Sequence, residues 1–563
     1  MTKFLKNHLL ITAILILAAA LRLVNLQSNP IGFNDDEAAF GYNAYSIIKT
    51  GMDEWGRFMP FPAFESFGDW KLSGYLYLVD ISEAILGPNV FAARLPSALI
   101  GIAAVYATYL LTKELFKRER NAKAYGLMAA FLLTISPWHI IASRNAFESD
   151  ILIFTITISL FFFLKSLEQK AYLKYALIGF VASFYIYRSA WIFLPLFSII
   201  LCLIYKEKLT GQWRQSLLRY VVIVGLIPIA FLVLSFKGQS RFIQESFITG
   251  IPRVGINNEI NEKVGICQNH LPYLLCRITY NKYLVLTSTY ISNYIQNLSL
   301  KTYFDKAHPL GFQSFSQRSL FYTFELPLLL TGGLVLIITR SKNAKLLFAW
   351  LAFVPIAASV AGVGNFGRLN IIMPAPQIIE AYGLIFIFTQ LKQKPLKKVL
   401  IFSAAFIMTF SVAKFLVDSF YIEPVYTSRY QRYGYERLFG YLNAKEKNYS
   451  KIIISRQIDN SHQYIQHAFF QKVDPSYFQN NARRYRGRDG WIVFDNIGKY
   501  FFVANISDVV LEPNTLVAAG QGEVRGQRSI YQIRDVKGDI IFEIYDSNEI
   551  INYMQANREK TIN

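Results

Sequence analysis

Residues 91–112 read FAARLPSALIGIAAVYATYLLT, a run of 22 residues whose single charge is Arg94. At about 1.5 Å per residue such a run forms a helix of roughly 33 Å, enough to cross the ~30 Å hydrocarbon core of a bilayer. Apolar blocks of roughly 17 to 22 residues recur along the chain. They predict about eleven transmembrane helices, at residues 9–26, 91–112, 124–143, 150–165, 175–187, 190–205, 218–236, 321–339, 345–361, 370–390 and 398–416.

The composition of the whole chain also indicates a membrane protein. Of its 563 residues, 53% are hydrophobic and 17% are charged, whereas a soluble chain typically carries about 25% charged residues. The first block, 9–26, follows Lys3 and Lys6, and its hydrophobicity continues past the alanines at 18–20. We therefore interpret it as an uncleaved helix rather than a signal peptide, and we expect a polytopic α-helical membrane protein.

The basic residues predict how the chain is oriented. The formal net charge is +20, and much of it lies in every second short connection rather than on one soluble face, which argues against nucleic-acid binding. By the positive-inside rule these connections and the N-terminus are cytoplasmic, in a multi-pass plasma-membrane protein. The basic connections are 113–123, 165–174, 206–219, 340–345 and 392–398. The segments predicted outside are 27–90, 144–149, 237–320, 362–369 and the whole C-terminal region.

Two domains are expected from this pattern. Residues 1–416 form a transmembrane module with large outside loops at 27–90 and 237–320, and residues 417–563 form a soluble extracytoplasmic α/β domain. This domain shows no phosphate loop, metal-ligand spacing or nucleophile elbow, so we expect an accessory or substrate-positioning role. Its predicted helices lie around 435–447 and 461–471, and its predicted strands near 451–455, 500–504, 515–519, 529–533 and 540–545.

The outside loop 237–320 leaves two questions open. Its two cysteines, Cys267 and Cys276, can form a disulfide if the loop faces an oxidising compartment, and two unpaired thiols are an equal alternative. The loop is also amphipathic, so that it either lies along the outer interface and covers a site near Arg318, or is a plain connection.

Three consecutive acids, Asp35, Asp36 and Glu37, follow the first apolar block. Like charges this close to a membrane surface repel one another and are costly to desolvate. One interpretation is a carboxylate that removes a proton from an acceptor hydroxyl or amine. The other is a solvated loop, or the cap of a helix that starts at Ala38, since Asp is a good N-cap. Spacing alone favours neither.

Four cations recur at the predicted outer ends of the apolar blocks. A lone arginine there can snorkel to the interface, but a guanidinium also matches a phosphate bidentately. Because the cations come from several outside segments at one membrane depth, we hypothesise a site that handles a phosphate. The four residues are Arg94, Arg144, Arg188 and Arg368.

The order of these motifs resembles the N-terminal half of the GT-C membrane glycosyltransferases. It is most similar to the superfamily of dolichyl-phosphate-mannose–protein mannosyltransferases and aminoarabinose transferases, over roughly residues 9 to 390. The matching pieces are Asp36-Glu37-Ala38-Ala39-Phe40, Thr50-Gly51, Lys71, Gly87, the run from Phe91 to Ala98, Tyr109-Leu110, Ser136-Pro137, Ser143-Arg144, Arg368, Pro374 and Ala381-Tyr382-Gly383.

The resemblance implies a GT-C-like fold and an inverting transfer of a sugar from a polyprenyl-phosphate donor at the outer face of the membrane. In such enzymes the first-loop acid pair is catalytic, which corresponds here to Asp36 as general base and Glu37 as a positioning residue, with Asp35 as an alternative register. Lys71, Arg94, Arg144 and Arg368 are then the candidates that stabilise the leaving phosphate. Since the donor arrives activated, no cofactor is expected, and closely spaced carboxylates beside a lysine suit metal-free base catalysis.

The sequence departs from these relatives in one motif and leaves the substrates open. Many relatives carry Lys-Pro-Pro in the first loop, whereas this chain has Lys71-Leu72-Ser73. The expected partners are membrane lipid, the lipid-linked donor and a protein, lipid or polysaccharide acceptor, and no nucleic acid. The alternative function is a polytopic transporter of a lipid-linked or anionic substrate, although transporters place such charges near the midplane and in repeated halves.

Overall fold

The structure is a computed structural model, and it describes residues 2–208, 251–305, 319–340, 342–458, 462–487 and 490–552, with a few positions between 215 and 227. Most of the predicted span 218–236 and Arg318 lie outside the described residues. The first helices are α1 (Thr2–Leu23), α2 (Asp35–Thr50), α3 (Ser73–Leu86), α4 (Val90–Leu115), α5 (Ala122–Ile135), α6 (Pro137–Arg144), α7 (Glu148–Ser166), α8 (Leu173–Ile186) and α9 (Ser189–Ile204). Then follow α10 (Ile251–Gln268), α11 (Tyr273–Thr279), α12 (Lys282–Leu298), α13 (Leu300–Phe304), α14 (Glu325–Ile338), α15 (Lys342–Ser359), α16 (Phe366–Leu369), α17 (Ala375–Gln390) and α18 (Lys394–Val417).

The remaining helices and most of the strands belong to the C-terminal region. The helices are α19 (Glu423–Thr427), α20 (Tyr435–Lys445), α21 (Gln463–Phe470) and α22 (Pro475–Asn481). The strands of the chain are β1 (Ala63–Ser66), β2 (Asp69–Leu72), β3 (Lys451–Ser455), β4 (Arg483–Arg486), β5 (Ile492–Ile497), β6 (Tyr500–Val503), β7 (Thr515–Gly520), β8 (Tyr531–Arg534) and β9 (Ile540–Asp546). The predicted combination of a helical module with a C-terminal α/β domain is thus confirmed.

The predicted number of membrane spans is confirmed only in part. Among the described residues, three helices are long and apolar enough to cross a membrane, and two bent helix pairs raise the number to as many as five. The predicted eleven are not confirmed, because α8, α9 and α14 have only 14 to 16 residues, short of the ~20 that a span needs. The three helices are Val90–Leu115, Glu148–Ser166 and Lys394–Thr427, and the bent pairs are α5 with α6, and Phe366–Ile372 with α17.

One of the long helices, α18, exposes an apolar face. Phe402, Phe406 and Phe410 recur every four residues, and each has more than half of its surface exposed. Residues at this spacing lie on one side of a helix. A row of exposed phenylalanines requires an apolar surrounding, which lipid supplies.

The chain divides into two compact units, and residues 1–24 and 97–416 form the first. Glycines allow its helices to approach closely: a Cβ on Gly332 of α14 would lie 2.0 Å from the carbonyl oxygen of Ile379 in α17. Thr155 of α7 and Ser183 of α8 share a hydrogen bond of 2.8 Å. The open question about the cysteines is also answered, since Cys267 and Cys276 form a disulfide between α10 and α11.

The second unit comprises residues 25–96 and 417–563, so the first outside loop folds with the C-terminal region rather than with the membrane module. Its main sheet has the order β4-β5-β6-β3-β7-β9-β8. The central strand β3 reads KIIIS, pairs in parallel with β6 and β7, and buries Ile452, Ile453 and Ile454 completely. β-Branched residues favour strands, and parallel strands are usually covered on both faces.

Helix α2 joins the loop to this domain by packing against α21. The rings of Phe33 and Phe469 stack at 4.7 Å, and a Cβ on Gly41 would lie 2.4 Å from the ring of Phe469. Only a residue without a side chain permits this approach, so the position of α2 depends on contacts made by the C-terminal residues.

Candidate active site

The three acids lie in the first turn of α2. Asn34 is the N-cap: its side-chain oxygen accepts a hydrogen bond from the backbone N–H of Glu37 at 3.1 Å, while Glu37 Oε2 accepts one from the backbone N–H of Asn34 at 3.2 Å. This reciprocal capping box satisfies two N–H groups that have no partner in the helix, and acids near a helix N-terminus are stabilised by its dipole. The interpretation that the acids cap a helix starting at Ala38 is corrected, since α2 begins at Asp35.

Glu37 is bound by Arg94 in a fully buried ion pair. Arg94 Nε donates to Glu37 Oε1 at 2.8 Å and Nη2 donates to Oε2 at 2.9 Å, and neither side chain is exposed. The same guanidinium donates to the carbonyl oxygens of Leu26, Gln27, Pro30 and Gly32 at 2.7 to 3.4 Å. Since these bonds occupy every N–H of the side chain, Arg94 holds the loop around α2, and binding a phosphate would require them to be exchanged.

Asp35 is held by the C-terminal residues. Arg432 donates to its Oδ2 at 3.0 Å and Gln466 donates to its Oδ1 at 3.0 Å. Burial would raise the pKa of Asp35, but the opposing interactions, led by the attraction of Arg432 and including the hydrogen bonds from Arg432 and Gln466, outweigh it and hold the pKa below its ordinary value. Asp35 is therefore a carboxylate engaged in joining the loop to the C-terminal region.

Asp36 has a different environment from its neighbours. Its side chain is 17% exposed, against 11% for Asp35 and none for Glu37. Lys71 on β2 contacts it through Nζ at 2.6 Å, and the same ammonium contacts Asp69 at 2.6 Å. Of the three acids, Asp36 is thus the one that a substrate can most readily reach, with a buried cation fixed beside it.

The hairpin of β1 and β2 places Lys71. The backbone N–H of Phe67 donates to the hydroxyl of Tyr464 at 2.8 Å, and the backbone N–H of Ile492 donates to the carbonyl oxygen of Phe67 at 3.0 Å. The next residue, Gly68, has φ +95°, and a Cβ there would lie 2.8 Å from the carbonyl oxygen of Gly490. The turn therefore requires glycine, and the C-terminal domain fixes the strand that carries Lys71.

Burial also raises the pKa of Glu54, the acid that supports the hairpin. Glu54 accepts a hydrogen bond from Tyr464 at 3.0 Å and lies 3.5 Å from Arg484. Removal from water outweighs the attraction of Arg484 and raises the pKa of Glu54 to about 7. Glu54 is a structural group in these contacts.

The other two predicted phosphate ligands, Arg144 and Arg368, lie in the first unit, the membrane unit of residues 1–24 and 97–416. Arg144 ends α6, is 4% exposed, and donates to the carbonyl oxygens of Leu21 and Val24 at 2.9 Å each. Arg368 lies in α16 and is partly exposed. Asn370 donates to the hydroxyl of Ser149 at 3.1 Å, so the chain segments that carry the two arginines meet.

The structure adds residues that the sequence did not assign to the site. Asn34 could have been found from its spacing to Glu37, because Asn-x-x-Glu before an apolar run is a capping-box signal. Arg432 and Gln466 gave no such signal, since they lie 397 and 431 residues from Asp35 in the chain. Asp69 lies two residues before Lys71 in the sequence, but no role was assigned to it.

Comparison with known proteins agrees with the sequence resemblance. The family model of dolichyl-phosphate-mannose-protein mannosyltransferase matches residues 74–234. The chain is 31% identical over 93 residues to undecaprenyl phosphate-alpha-4-amino-4-deoxy-L-arabinose arabinosyl transferase 1 of Pseudomonas fluorescens (strain Pf0-1), a match that spans 16% of this chain and 16% of that relative. The resemblance to GT-C membrane glycosyltransferases is therefore confirmed.

Two solved structures show how far the likeness of the fold extends. ArnT from Cupriavidus metallidurans, bound to undecaprenyl phosphate, has a TM-score of 0.50 and 12% sequence identity, and the match covers 95% of this chain and 97% of that one. The archaeal oligosaccharyltransferase AglB from Archaeoglobus fulgidus, in complex with an inhibitory peptide and a dolichol-phosphate, has a TM-score of 0.47 and 13% identity. This chain spans 64% of the length of that protein, and the match covers 83% of this chain.

Proposed function

We propose that the chain is an integral membrane glycosyltransferase that moves a sugar from a polyprenyl-phosphate donor to an acceptor on the outer face of the membrane. The observation that carries the proposal is the pair formed by Asp36 and Lys71 at 2.6 Å, with Asp36 the most exposed of the three acids. The undecaprenyl phosphate bound to the Cupriavidus protein and the name of the Pseudomonas relative support a lipid-phosphate donor.

Asp36 acts as the general base in this proposal. The acceptor oxygen attacks the anomeric carbon of the donor sugar while its proton passes to Asp36, so that one new C–O bond forms. The bond between that carbon and the phosphate oxygen breaks, and its electron pair leaves with the lipid phosphate. Attack from the side opposite the leaving group inverts the anomeric configuration. Lys71 orients the carboxylate through its contact of 2.6 Å.

The leaving phosphate requires fixed positive charge. Lys71 is buried and held between two carboxylates, so its position changes little during the reaction, and charge fixed in advance stabilises a transition state efficiently. Arg144 and Arg368 stay predictions from the sequence as further ligands of the donor phosphate. Arg94 and Glu37 position the loop that carries Asp36, because their side chains are fully buried against each other.

A transporter is the second candidate, and one observation in the membrane unit favours it. Arg22 lies 2.6 Å from His139, and His139 lies 3.8 Å from Asp150, with all three side chains completely buried. Buried ionisable groups in apolar helices often mark substrate or proton pathways. A transporter has no use for a base at Asp36, so a measurement at that residue separates the two candidates.

The experiment measures transfer of radiolabelled sugar from polyprenyl-phosphate donors in membranes that contain the wild-type chain, Asp36→Asn or Asp80→Asn. Asparagine keeps the size of the side chain and removes its basicity, so we expect Asp36→Asn to lower the rate by about 10²- to 10⁴-fold at equal expression. Asp80→Asn, the same substitution on α3, should keep the wild-type rate. Equal rates for all three proteins would remove Asp36 as the base, and a wild type inactive with every donor would favour the transporter.

A further inference from the structure

A cleft of ≈860 Å³ lies in the unit formed by residues 25–96 and 417–563. This volume is in the range of about 300–1,000 Å³ that is usual for ligand sites. Tyr464 and Phe494 line it with rings that are nearly completely buried and stack at 4.4 Å. Trp491 lines it as well and is partly exposed. The cleft therefore has a rigid aromatic wall and one aromatic ring that a ligand can contact.

The polar lining consists mainly of amides and one guanidinium, from Arg456, Gln457, Gln463 and Asn505. Gln463 is 2% exposed and donates through Nε2 to the carbonyl oxygen of Ser455 at 2.9 Å. Within the part of the chain that the structure describes, its Oε1 and the Nε of Arg456 are buried without a hydrogen-bond partner. Buried polar atoms normally have a partner, so residues that line the cleft carry two polar atoms whose hydrogen-bonding capacity the described residues leave unused.

The lining carries little net charge. No carboxylate occurs among the described residues that line the cleft. Burial, which outweighs the opposing attraction of Asp35, lowers the pKa of His462 below its ordinary value. Its ring is therefore neutral at pH 7, and Arg456 is the one cation of the described lining.

A row of aromatic rings connects the cleft to Asp36. Trp491 lies 5.4 Å from the ring of His462, and His462 stacks on Phe67 at 4.3 Å with an angle of 5° between the rings. Lys71 Nζ lies 4.8 Å from the centre of the Phe67 ring, and 2.6 Å from Asp36. These contacts join the lining of the cleft to the residues that hold the proposed base.

The cleft lies where two internal strands of the sheet separate. Its wall includes Ile492, Val493 and Phe494 of β5 and Phe502 of β6. Both strands are internal in the sheet, whose edges are β4 and β8. Among the described residues, β5 and β6 pair only at Asn496–Phe501 and Ile497–Tyr500, so the two strands separate where they line the cleft. A neutral peptide that pairs with their backbone is therefore the occupant that the test must distinguish from a glycan.

We infer that this cleft binds the neutral saccharide part of the acceptor, so that the acceptor of the proposed transfer is itself a glycan chain. Sugar hydroxyl groups both donate and accept hydrogen bonds, which matches amide side chains that do the same. The C–H faces of a sugar ring pack on the negative face of an aromatic ring such as that of Trp491. That the bound glycan is an acceptor rests on the proposed function. The binding itself can be measured without any sugar transfer.

The test measures binding of neutral tetrasaccharides (of mannose, glucose and N-acetylglucosamine) to the purified full chain in detergent, by calorimetry and without donor. We expect at least one tetrasaccharide to bind. Trp491→Ala should raise its Kd by about tenfold or more, and Trp491→Phe should give an intermediate Kd. Tyr485→Ala removes an exposed aromatic of β4 outside the cleft lining, and should bind as the wild type does. Gln457→Ala changes an exposed position of the lining and should also weaken binding. It tests the inference independently if Trp491→Ala does not fold.

The outcomes separate this inference from the proposed function. A wild-type chain that transfers no sugar but still binds the tetrasaccharide through Trp491 overturns the proposed transferase and leaves the assignment of the cleft standing. Unchanged binding by both Trp491→Ala and Gln457→Ala places the glycan elsewhere and overturns the inference. So does the absence of binding by every tetrasaccharide, or binding of a neutral peptide that Trp491→Ala abolishes.

Discussion

Three consecutive acids, Asp35, Asp36 and Glu37, have three different environments, and their neighbours decide which one can do chemistry. Two of them are held by arginines from distant parts of the chain, Arg432 and Arg94. The third, Asp36, keeps partial exposure beside Lys71. Asp36 is itself paired with Lys71 at 2.6 Å, so its greater exposure, and not the lack of an ion pair, is what distinguishes it as the candidate base.

The residue-scale prediction concerns the buried pair of Arg94 and Glu37. Arg94→Met leaves the Glu37 carboxylate buried without its partner, which should lower the free energy of unfolding by about 3–5 kcal/mol. The double variant Arg94→Met/Glu37→Gln removes the uncompensated charge and should recover part of the loss. Thermal unfolding of the purified chain in detergent measures both effects. Equal losses for the single and double variants would show that the ion pair itself is not what stabilises the loop.

At the scale of elements, close helix packing depends on single glycines. Gly332 and Gly333 are neighbours in α14, but they point in different directions. A Cβ on Gly332 would lie 2.0 Å from a backbone carbonyl oxygen of α17, whereas a Cβ on Gly333 would lie 3.7 Å from the ring of Phe348. Small residues at such crossings let helix backbones approach in a membrane.

The two glycines therefore form a matched pair for a test. Gly332→Ala should destabilise the protein by about 1–3 kcal/mol, because a backbone carbonyl cannot move aside as a side chain can. Gly333→Ala meets only ordinary contact and should be neutral or stabilising by up to ~1 kcal/mol, since alanine favours helices. Detergent-based thermal unfolding distinguishes them. A similar loss at both positions would contradict a crossing centred on Gly332.

At the scale of the whole molecule, the prediction to test is the orientation of the chain in the membrane. The basic connections predict a cytoplasmic N-terminus and an outside C-terminal domain. The disulfide between Cys267 and Cys276 in the predicted outside loop agrees with this orientation, because disulfides persist in oxidising compartments.

Cysteine labelling tests the orientation in intact cells. With Cys202 replaced by serine, a membrane-impermeant maleimide added outside should label Lys537→Cys. Lys170→Cys, in a predicted cytoplasmic connection, should react only after the membrane is disrupted. Both positions are exposed, so access through the membrane is what differs between them. The reverse pattern would show that the positive-inside interpretation of these connections is wrong.

The sequence by itself determined the elements whose signal is local. The apolar blocks within the described residues form helices close to their predicted positions, and KIIIS forms β3 within the predicted residues 451–455. The strands β4 and β5 and the helix α22 were not predicted, because the stretch that includes RRYR carries no clear alternation of apolar residues. The predicted number of spans is not confirmed, since hydropathy does not show where a helix bends or ends short of a full crossing.

The sequence also found the acids and Lys71 as candidates, because residue type and order are local information. Only the tertiary structure decided that Asp36 is the accessible acid, that Arg94 is occupied by the loop, and that the first loop folds with the C-terminal region. These features depend on contacts between residues such as Asp35 and Arg432, 397 positions apart. Burial and ion pairing at such separations arise from packing in three dimensions, which no pattern along the chain records.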